Sequence, residues 1–163
     1  MPNDCFNSIC ITACREQDLT EFLSQISGPN GCLDFERIAP VPSIFENLHV
    51  GARRFGDKTA NNWFARTGKN GELTEIRPLT YDEWQNLAEA KAGNLQDWLN
   101  RNWGCKWCPD MIEHERRDLT ALFTFYTPWN PPKPIIERLR ERFPALSITA
   151  YFDEPGMQAA GYY

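Results

Sequence analysis

A chain of 163 residues with 42% apolar, 24% charged and 13% aromatic residues is long enough for one well-buried core and short for two. That composition excludes a disordered chain. The net charge of −5, from 17 Lys+Arg against 22 Asp+Glu, repels a phosphate backbone at long range, so nucleic acid is a disfavoured partner unless a local basic patch defeats the average.

The first strand is predicted over Cys5 to Ala13, with Cys5, Asn7, Ile9, Ile11 and Ala13 on one face and Phe6, Ser8, Cys10 and Thr12 on the other. Asp18 with Glu21 three residues on has the form of a capping box, and Leu19, Phe22, Leu23 and Ile26 follow at helical spacing. Gly28-Pro29 stops that helix, with glycine as its left-handed C′ residue. A second strand is expected at Cys32 to Arg37, with Leu33 and Phe35 inward, and Ile38 to Pro42 is an extended exit. From about Ile44 to Asp118 the chain changes character and reads as an insertion. It holds a hairpin around Asn70-Gly71, flanked by Trp63 to Thr67 and Leu73 to Ile76, and then one helix from Tyr81 to Asn100. That helix opens on a Thr80/Glu83 capping box with a Leu79/Trp84 staple, and its stripe is Trp84, Leu87, Ala88, Leu95, Trp98 and Leu99. A third strand, Leu119 to Thr127, places Leu119, Ala121, Phe123 and Phe125 on one face against Thr120, Leu122, Thr124 and Tyr126 on the other. Trp129-Asn130-Pro131-Pro132 ends it because prolines cannot donate to a ladder. A helix at Pro134 to Arg142, burying Ile135, Ile136, Leu139 and Phe143, and a strand at Ser147 to Asp153 complete the chain.

Two β-α-β halves with their helices on one side of an antiparallel sheet make an α+β, ferredoxin-like sandwich with strand order 4-1-3-2. The expectation is one domain over residues 1–163, with residues 44–118 as a helical insertion between strands 2 and 3.

Several pieces of sequence fit this frame: Pro2-Asn3 with Cys5 and Asn7, Phe35-Glu36 with Ile38 and Pro40, and Trp103-Gly104-x-Lys106-Trp107. Further on come Phe123-x-Phe125-x-Thr127-x-Trp129-x-Pro131-Pro132, Phe143-Pro144 and Tyr151-x-x-Glu154-x-Gly156, leading to Gly161. In this order and spacing they resemble the YubB-like ferredoxin-like domain proteins of bacterial plasmids and phages. The resemblance implies a cytoplasmic protein of a mobile element, offers no catalytic residues to carry over, and leads to a further strand segment at Tyr162 and Tyr163. Asp4 stands where it would place an aromatic, and the cysteines flanking Lys106-Trp107 fall outside it.

Cys105-Lys106-Trp107-Cys108 has the spacing of a redox pair, and at a helix start the dipole and the lysine would lower the first thiol's pKa. The same two thiols with His114 make a partial zinc set, for which His49 or Cys32 would be the distant fourth ligand. Trp103, Lys106, Trp107 and Trp129 form an aromatic constellation that serves either as core or as a rim of interface anchors. Tryptophans with a lysine also suit stacking of single-stranded bases. Glu113-His114-Glu115 reads as a solvated loop. No H-E-x-x-H, G-x-S-x-G, phosphate-binding glycine loop or cluster-binding C-x2-C-x2-C occurs, so no cofactor is expected.

There is no run of about 18 apolar residues, and Met1-Pro2-Asn3-Asp4 has the character of no leader, so a cytoplasmic protein without a membrane partner is expected. Cys5, Cys10, Cys14, Cys32, Cys105 and Cys108 are then reduced thiols. The function these features point to is non-enzymatic: binding a host protein or another macromolecule for a plasmid or phage, in counter-defence for example. A thiol-redox or zinc protein using Cys105 and Cys108 is one alternative, and a single-stranded nucleic-acid module is another.

Overall fold

The computed structural model describes residues 4–28, 33–109 and 112–163. In chain order the elements are β1 (Asp4–Thr12), α1 (Glu16–Ile26), α2 (Phe35–Ile38), a 3-10 turn (Ser43–Glu46), β2 (Leu48–Phe55), β3 (Lys58–Thr67), β4 (Leu73–Pro78), α3 (Tyr81–Glu89), α4 (Leu95–Asn102), β5 (Ile112–Arg117), β6 (Thr120–Pro128), α5 (Lys133–Arg142), β7 (Ser147–Glu154) and β8 (Ala159–Tyr162). They fall into two compact units, Met1–Pro40 with Leu99–Tyr163, and Val41–Trp98.

The first unit is built on an antiparallel sheet of order β5-β6-β1-β7-β8 among the described residues. Strand alternation sets its core. Cys5, Asn7, Ile9 and Ile11 of β1 are fully buried, as are Ala121 and Phe123 of β6 and Ala150 of β7. Leu19, Phe22 and Ile26 of α1 and Ile135, Ile136 and Leu139 of α5 supply the other layer, each with no exposed surface. Phe22 meets Phe143 edge-on at 4.8 Å, and Phe35 lies edge-on to Phe125 at 6.0 Å. A buried phenylalanine of this kind contributes about 3 to 5 kcal/mol over alanine.

Four expectations are corrected here. The strand predicted at Cys32 to Arg37 is helix α2 in its described part. Asp34 accepts the Glu36 N–H at 3.0 Å as an N-cap, Phe35 is buried in the helix, and buried Leu33 makes only an isolated antiparallel bridge to Ser27. The place beside β6 expected for that strand is taken by β5, so the sheet is five-stranded and the inserted unit precedes the strand instead of following it. Glu113 to Glu115 are therefore no loop but part of β5. Strongly charged side chains suit an edge strand, where they discourage further pairing, and Asp118 at φ 48° makes the tight turn into β6. Helix α1 starts at Glu16 with Arg15 as N-cap. Asp18 binds Arg15 at 2.7 Å instead of capping, and the helix ends on extended Ser27 without a left-handed glycine. The final strand segment implied at Tyr162 is present as β8, pairing with β7.

The second unit is not purely helical, since it carries an antiparallel sheet of order β2-β3-β4. The hairpin expected at Asn70-Gly71 joins β3 to β4, with Gly71 at φ 82°. The helix predicted from Tyr81 to Asn100 is two. Lys91 at φ 52° ends α3, and the Asn94 side chain accepts the Asp97 N–H at 2.9 Å to start α4. Breaking the helix narrows its stripe: Leu87, Trp98 and Leu99 are buried, but Trp84, Ala88 and Leu95 are exposed.

The Thr80/Glu83 capping box forms as expected, with an addition. Arg77 grips the Glu83 carboxylate with two hydrogen bonds of 2.7 and 2.8 Å, and stacks at 4.1 Å over Phe64. The Arg77 bonds, helped by the Thr80 N–H, hold the Glu83 carboxyl down at about 2 from an ordinary 4.5. A depressed carboxyl pKa stabilises the fold fully above the unfolded value, and that stability is lost as pH falls from about 4.5 towards 2. Glu83→Gln is expected to lower stability by about 1 to 2 kcal/mol at pH 7, discounted for the partly exposed pair. The difference from the parent should vanish near pH 2. Urea unfolding followed by circular dichroism across that range is the check.

Candidate binding site

The four residues of the aromatic constellation divide. Trp103 is core: it is 4% exposed, donates its Nε1–H to the Ala39 carbonyl at 2.8 Å and lies edge-on to Phe35 at 5.7 Å. Trp107 and Trp129 are 48% and 39% exposed, and Lys106 is exposed beside them in sequence. Gly104 makes the arrangement possible. At φ 81° it turns the chain after α4 against the proline loop, so closely that a Cβ there would lie 2.8 Å from Pro134 Cδ and 2.9 Å from the Pro131 carbonyl oxygen. The two loops enclose a depression of about 380 Å³ lined by Asn100, Lys106, Pro128, Trp129, Asn130 and Met157, with Gly104 at its edge. Lys106 and Trp129 are thus brought together, Trp107 stands outside the lining, and Trp103 is sealed within the core.

Behind this depression sits a buried polar cluster that sequence reasoning did not single out as a site. Asn7, fully buried, donates Nδ2–H to the Cys5 carbonyl at 2.9 Å and to Thr127 Oγ1 at 2.8 Å, and accepts the Tyr163 hydroxyl at 3.3 Å. Thr127 Oγ1–H donates to the Asn130 carbonyl at 2.7 Å. Glu154, also fully buried, accepts the Met157 N–H at one oxygen, while its Oε1 meets no donor among the described residues. Met157, Asn130 and Pro128 also line the depression, so the cluster stands one residue behind its wall. Cys5, Asn7, Thr127, Trp129 and Glu154 all belong to the pieces quoted above for the plasmid and phage resemblance. Strand register is what gathers them, since Cys5 pairs with Thr127 and its neighbour Phe6 with Asp153.

Cys105 and Cys108 lie in the loop that follows α4. Cys105 follows the C-terminus of α4 instead of opening a helix, and its Sγ donates to the Trp107 carbonyl at 3.3 Å. Burial, with the nearby Cys108, pushes its thiol up to about 12, and burial pushes Cys5 up to about 11. These shifts run opposite to the lowering a redox pair needs. His114 lies on β5, stacked on Phe123 at 5.5 Å, and His49 stacks on Trp63 at 4.6 Å within the second unit. Among the described residues no three of His, Cys, Asp and Glu gather as a metal site, and Cys32 lies outside those residues.

A larger surface adjoins the depression. Pro128, which lines it, is the last residue of β6, and the strand faces pointing away from α1 and α5 are aromatic and acidic. Phe6 and Tyr126 meet edge-on at 5.5 Å, and Tyr151 and Tyr162 at 5.4 Å, with Tyr126 60% and Tyr162 76% exposed. Alternation places Asp4, Glu113, Glu115 and Asp153 on this face. Arg117, also there, is paired with Glu115 at 3.0 Å. Two shallow depressions of about 230 and 260 Å³ flank β5, one with Phe6, Tyr126 and Glu113, the other with Leu122, Cys10 and Glu115. The period-2 pattern sets Phe6 and Tyr126 on the strand faces opposite the buried Cys5, Asn7, Phe123 and Phe125. What hid the site was the reading of Glu113 to Glu115 as a loop, which removed the acidic half.

Residues 102–163 match the model of a family described as a ferredoxin-like domain in Api92-like protein. No curated protein matches the sequence. The fold is similar to the crystal structure of protein api92 from Yersinia pseudotuberculosis, with a TM-score of 0.53 and 13% identity over 99% of this chain and 93% of that one. At that identity the likeness speaks for architecture alone. Together with the strand order, it makes the first unit a ferredoxin-like α+β sandwich with an antiparallel sheet.

Proposed function

We propose that the protein is a non-enzymatic binding module that uses the open face of its five-stranded sheet to hold a protein partner presenting a Lys- and Arg-rich segment. The observation carrying this reading is the coincidence, on the sheet face turned away from α1 and α5, of exposed Tyr126 and Tyr162 and half-buried Phe6 and Tyr151 with the carboxylates of Asp4, Glu113, Glu115 and Asp153. A guanidinium or ammonium seated in the depression beside Phe6, Tyr126 and Glu113 meets aromatic rings and a carboxylate at once. Exposed aromatics are the residues that most often dominate binding energy. Trp129 and Lys106 extend the surface at its Pro128 end. On the resemblance in the sequence, the setting is the cytoplasm of a bacterium carrying a plasmid or phage, and the partner is a host protein.

Labelled twelve-residue peptides rich in Lys and Arg, with and without interleaved apolar residues, test this by fluorescence anisotropy. Basic peptides are expected to bind and acidic ones not. Tyr126→Ala should weaken binding about 30-fold, the effect of losing a hot spot of about 2 kcal/mol. Glu113→Lys should weaken it further at low salt. Equal binding of acidic and basic peptides, or indifference to both substitutions, would remove the reading.

A further inference from the structure

The second unit carries a cationic ribbon within an acidic protein. Strands β2 and β3 are joined by a two-residue turn, Gly56-Asp57, with Phe55 paired to Lys58 and Gly56 at φ 60°, the geometry a tight hairpin favours. Its outer half is exposed: residues 50–54 of β2 and 56–59 around the turn all face solvent. Between Leu48 and Thr67 the cations are Arg53, Arg54, Lys58 and Arg66, and Asp57 is the one carboxylate. Arg66 is tied to Glu75 at 3.8 Å, whereas Arg53, Arg54 and Lys58 make no ion pair among the described residues. The whole chain carries −5, so three unneutralised cations on one exposed hairpin are a departure from its average.

Two of these cations are held in place. The Arg53 guanidinium lies 4.6 Å over the Trp63 ring, which is stacked on His49 at 4.6 Å and donates its Nε1–H to the Gly51 carbonyl at 3.1 Å. Arg54 donates Nε–H to the Gly56 carbonyl at 2.9 Å across the turn. A pre-positioned guanidinium loses less entropy when it grips an oxyanion, and its fork matches phosphate. Trp63 is occupied as the support of Arg53, so it is not a free platform for stacking unpaired bases. A two-stranded ribbon, by contrast, has the cross-section that the major groove of duplex DNA admits.

We infer that the β2–β3 hairpin is a binding site for the phosphate backbone of double-stranded DNA, with Arg53, Arg54 and Lys58 as its phosphate contacts. This is independent of the peptide-binding face, which belongs to the other unit. The contacts set position along a duplex rather than sequence choice.

The test is fluorescence anisotropy of the full chain with a labelled duplex of about 20 base pairs, which covers about two turns of the groove. Neutralising three phosphates should give a slope near −2.7 for log affinity against log salt, or about 40-fold weaker binding at 200 than at 50 mM salt. Each of Arg53→Ala, Arg54→Ala and Lys58→Ala should reduce that slope by about 0.9. These side chains are exposed and unpaired by carboxylates, so circular dichroism should show the fold intact. No binding at 20 mM salt, binding that survives the triple substitution, a preference for single strands, or heparin binding that duplex DNA cannot compete away would each overturn the inference.

Discussion

Gly104→Ala is expected to destabilise the sandwich unit by about 3 kcal/mol, measured by urea unfolding with tryptophan fluorescence as the signal. Two costs combine. The backbone at φ 81° disfavours any residue with a Cβ, and the added methyl would sit 2.8 Å from Pro134 Cδ and 2.9 Å from the Pro131 carbonyl oxygen, both in rigid proline segments. Neither neighbour can swing aside as a flexible side chain would. Because Gly104 joins the two loops enclosing the Lys106 and Trp129 depression, the emission of Trp129 should change along with stability. Gly93→Ala is the control, since its added methyl meets only Asp97 Oδ2 at 3.7 Å, and it should be close to neutral. A loss below about 1 kcal/mol at Gly104 would mean that the loops separate freely and that the depression is not a fixed feature.

The core of the first unit was legible because its strands and helices each bury one face. Cys5 to Ala13, Leu119 to Thr127 and Ser147 to Asp153 keep a period of two, and Ile135, Ile136 and Leu139 keep a helical one. What failed was assignment where that signal is weak. Leu33 and Phe35 are two apart and both buried, which fits a strand, yet Asp34 between them caps a one-turn helix that starts at Phe35. Glu113 to Arg117 form an edge strand whose charges carry no apolar period, so the acidic half of the proposed binding face was invisible. The helix from Tyr81 onward was broken by Lys91 in a left-handed conformation and by a cap at Asn94, neither of which disturbs apolar spacing. Among the tryptophans, sequence could not decide which were core. Trp103 is separated from Trp107 and Trp129 by one backbone carbonyl, that of Ala39, which satisfies its indole N–H inside the fold. The basic hairpin escaped for a different reason: net charge averages over the chain, and only the strand pairing of β2 with β3 sets Arg53, Arg54 and Lys58 on one ribbon.

Asn7→Asp, a change of almost no volume, is expected to cost about 3 kcal/mol at pH 7 because Asn7 works chiefly as a donor. Its Nδ2 gives hydrogen bonds to the Cys5 carbonyl and to Thr127 Oγ1, which is itself committed to the Asn130 carbonyl. A carboxylate in that place would face the Cys5 carbonyl without a proton between them, in a fully buried position on the same end of the sheet as Glu154. Burial and that neighbour would raise the introduced carboxyl's pKa in the folded protein above its ordinary value of about 3.9. A raised folded pKa means that the folded state binds more protons, so the destabilisation should be small below about pH 4 and grow as pH rises. Asn7→Leu separates the two contributions: it removes the same donor without adding a charge, and its cost should not depend on pH across that range. If the two variants unfold with the same pH profile, the cluster holding the strand ends together is tolerant of charge, and Glu154 beside it is not in a low-dielectric site. If they diverge as expected, the floor under the Trp129 depression is a dry polar network, and the depression's shape is set by hydrogen bonds rather than by loop packing alone.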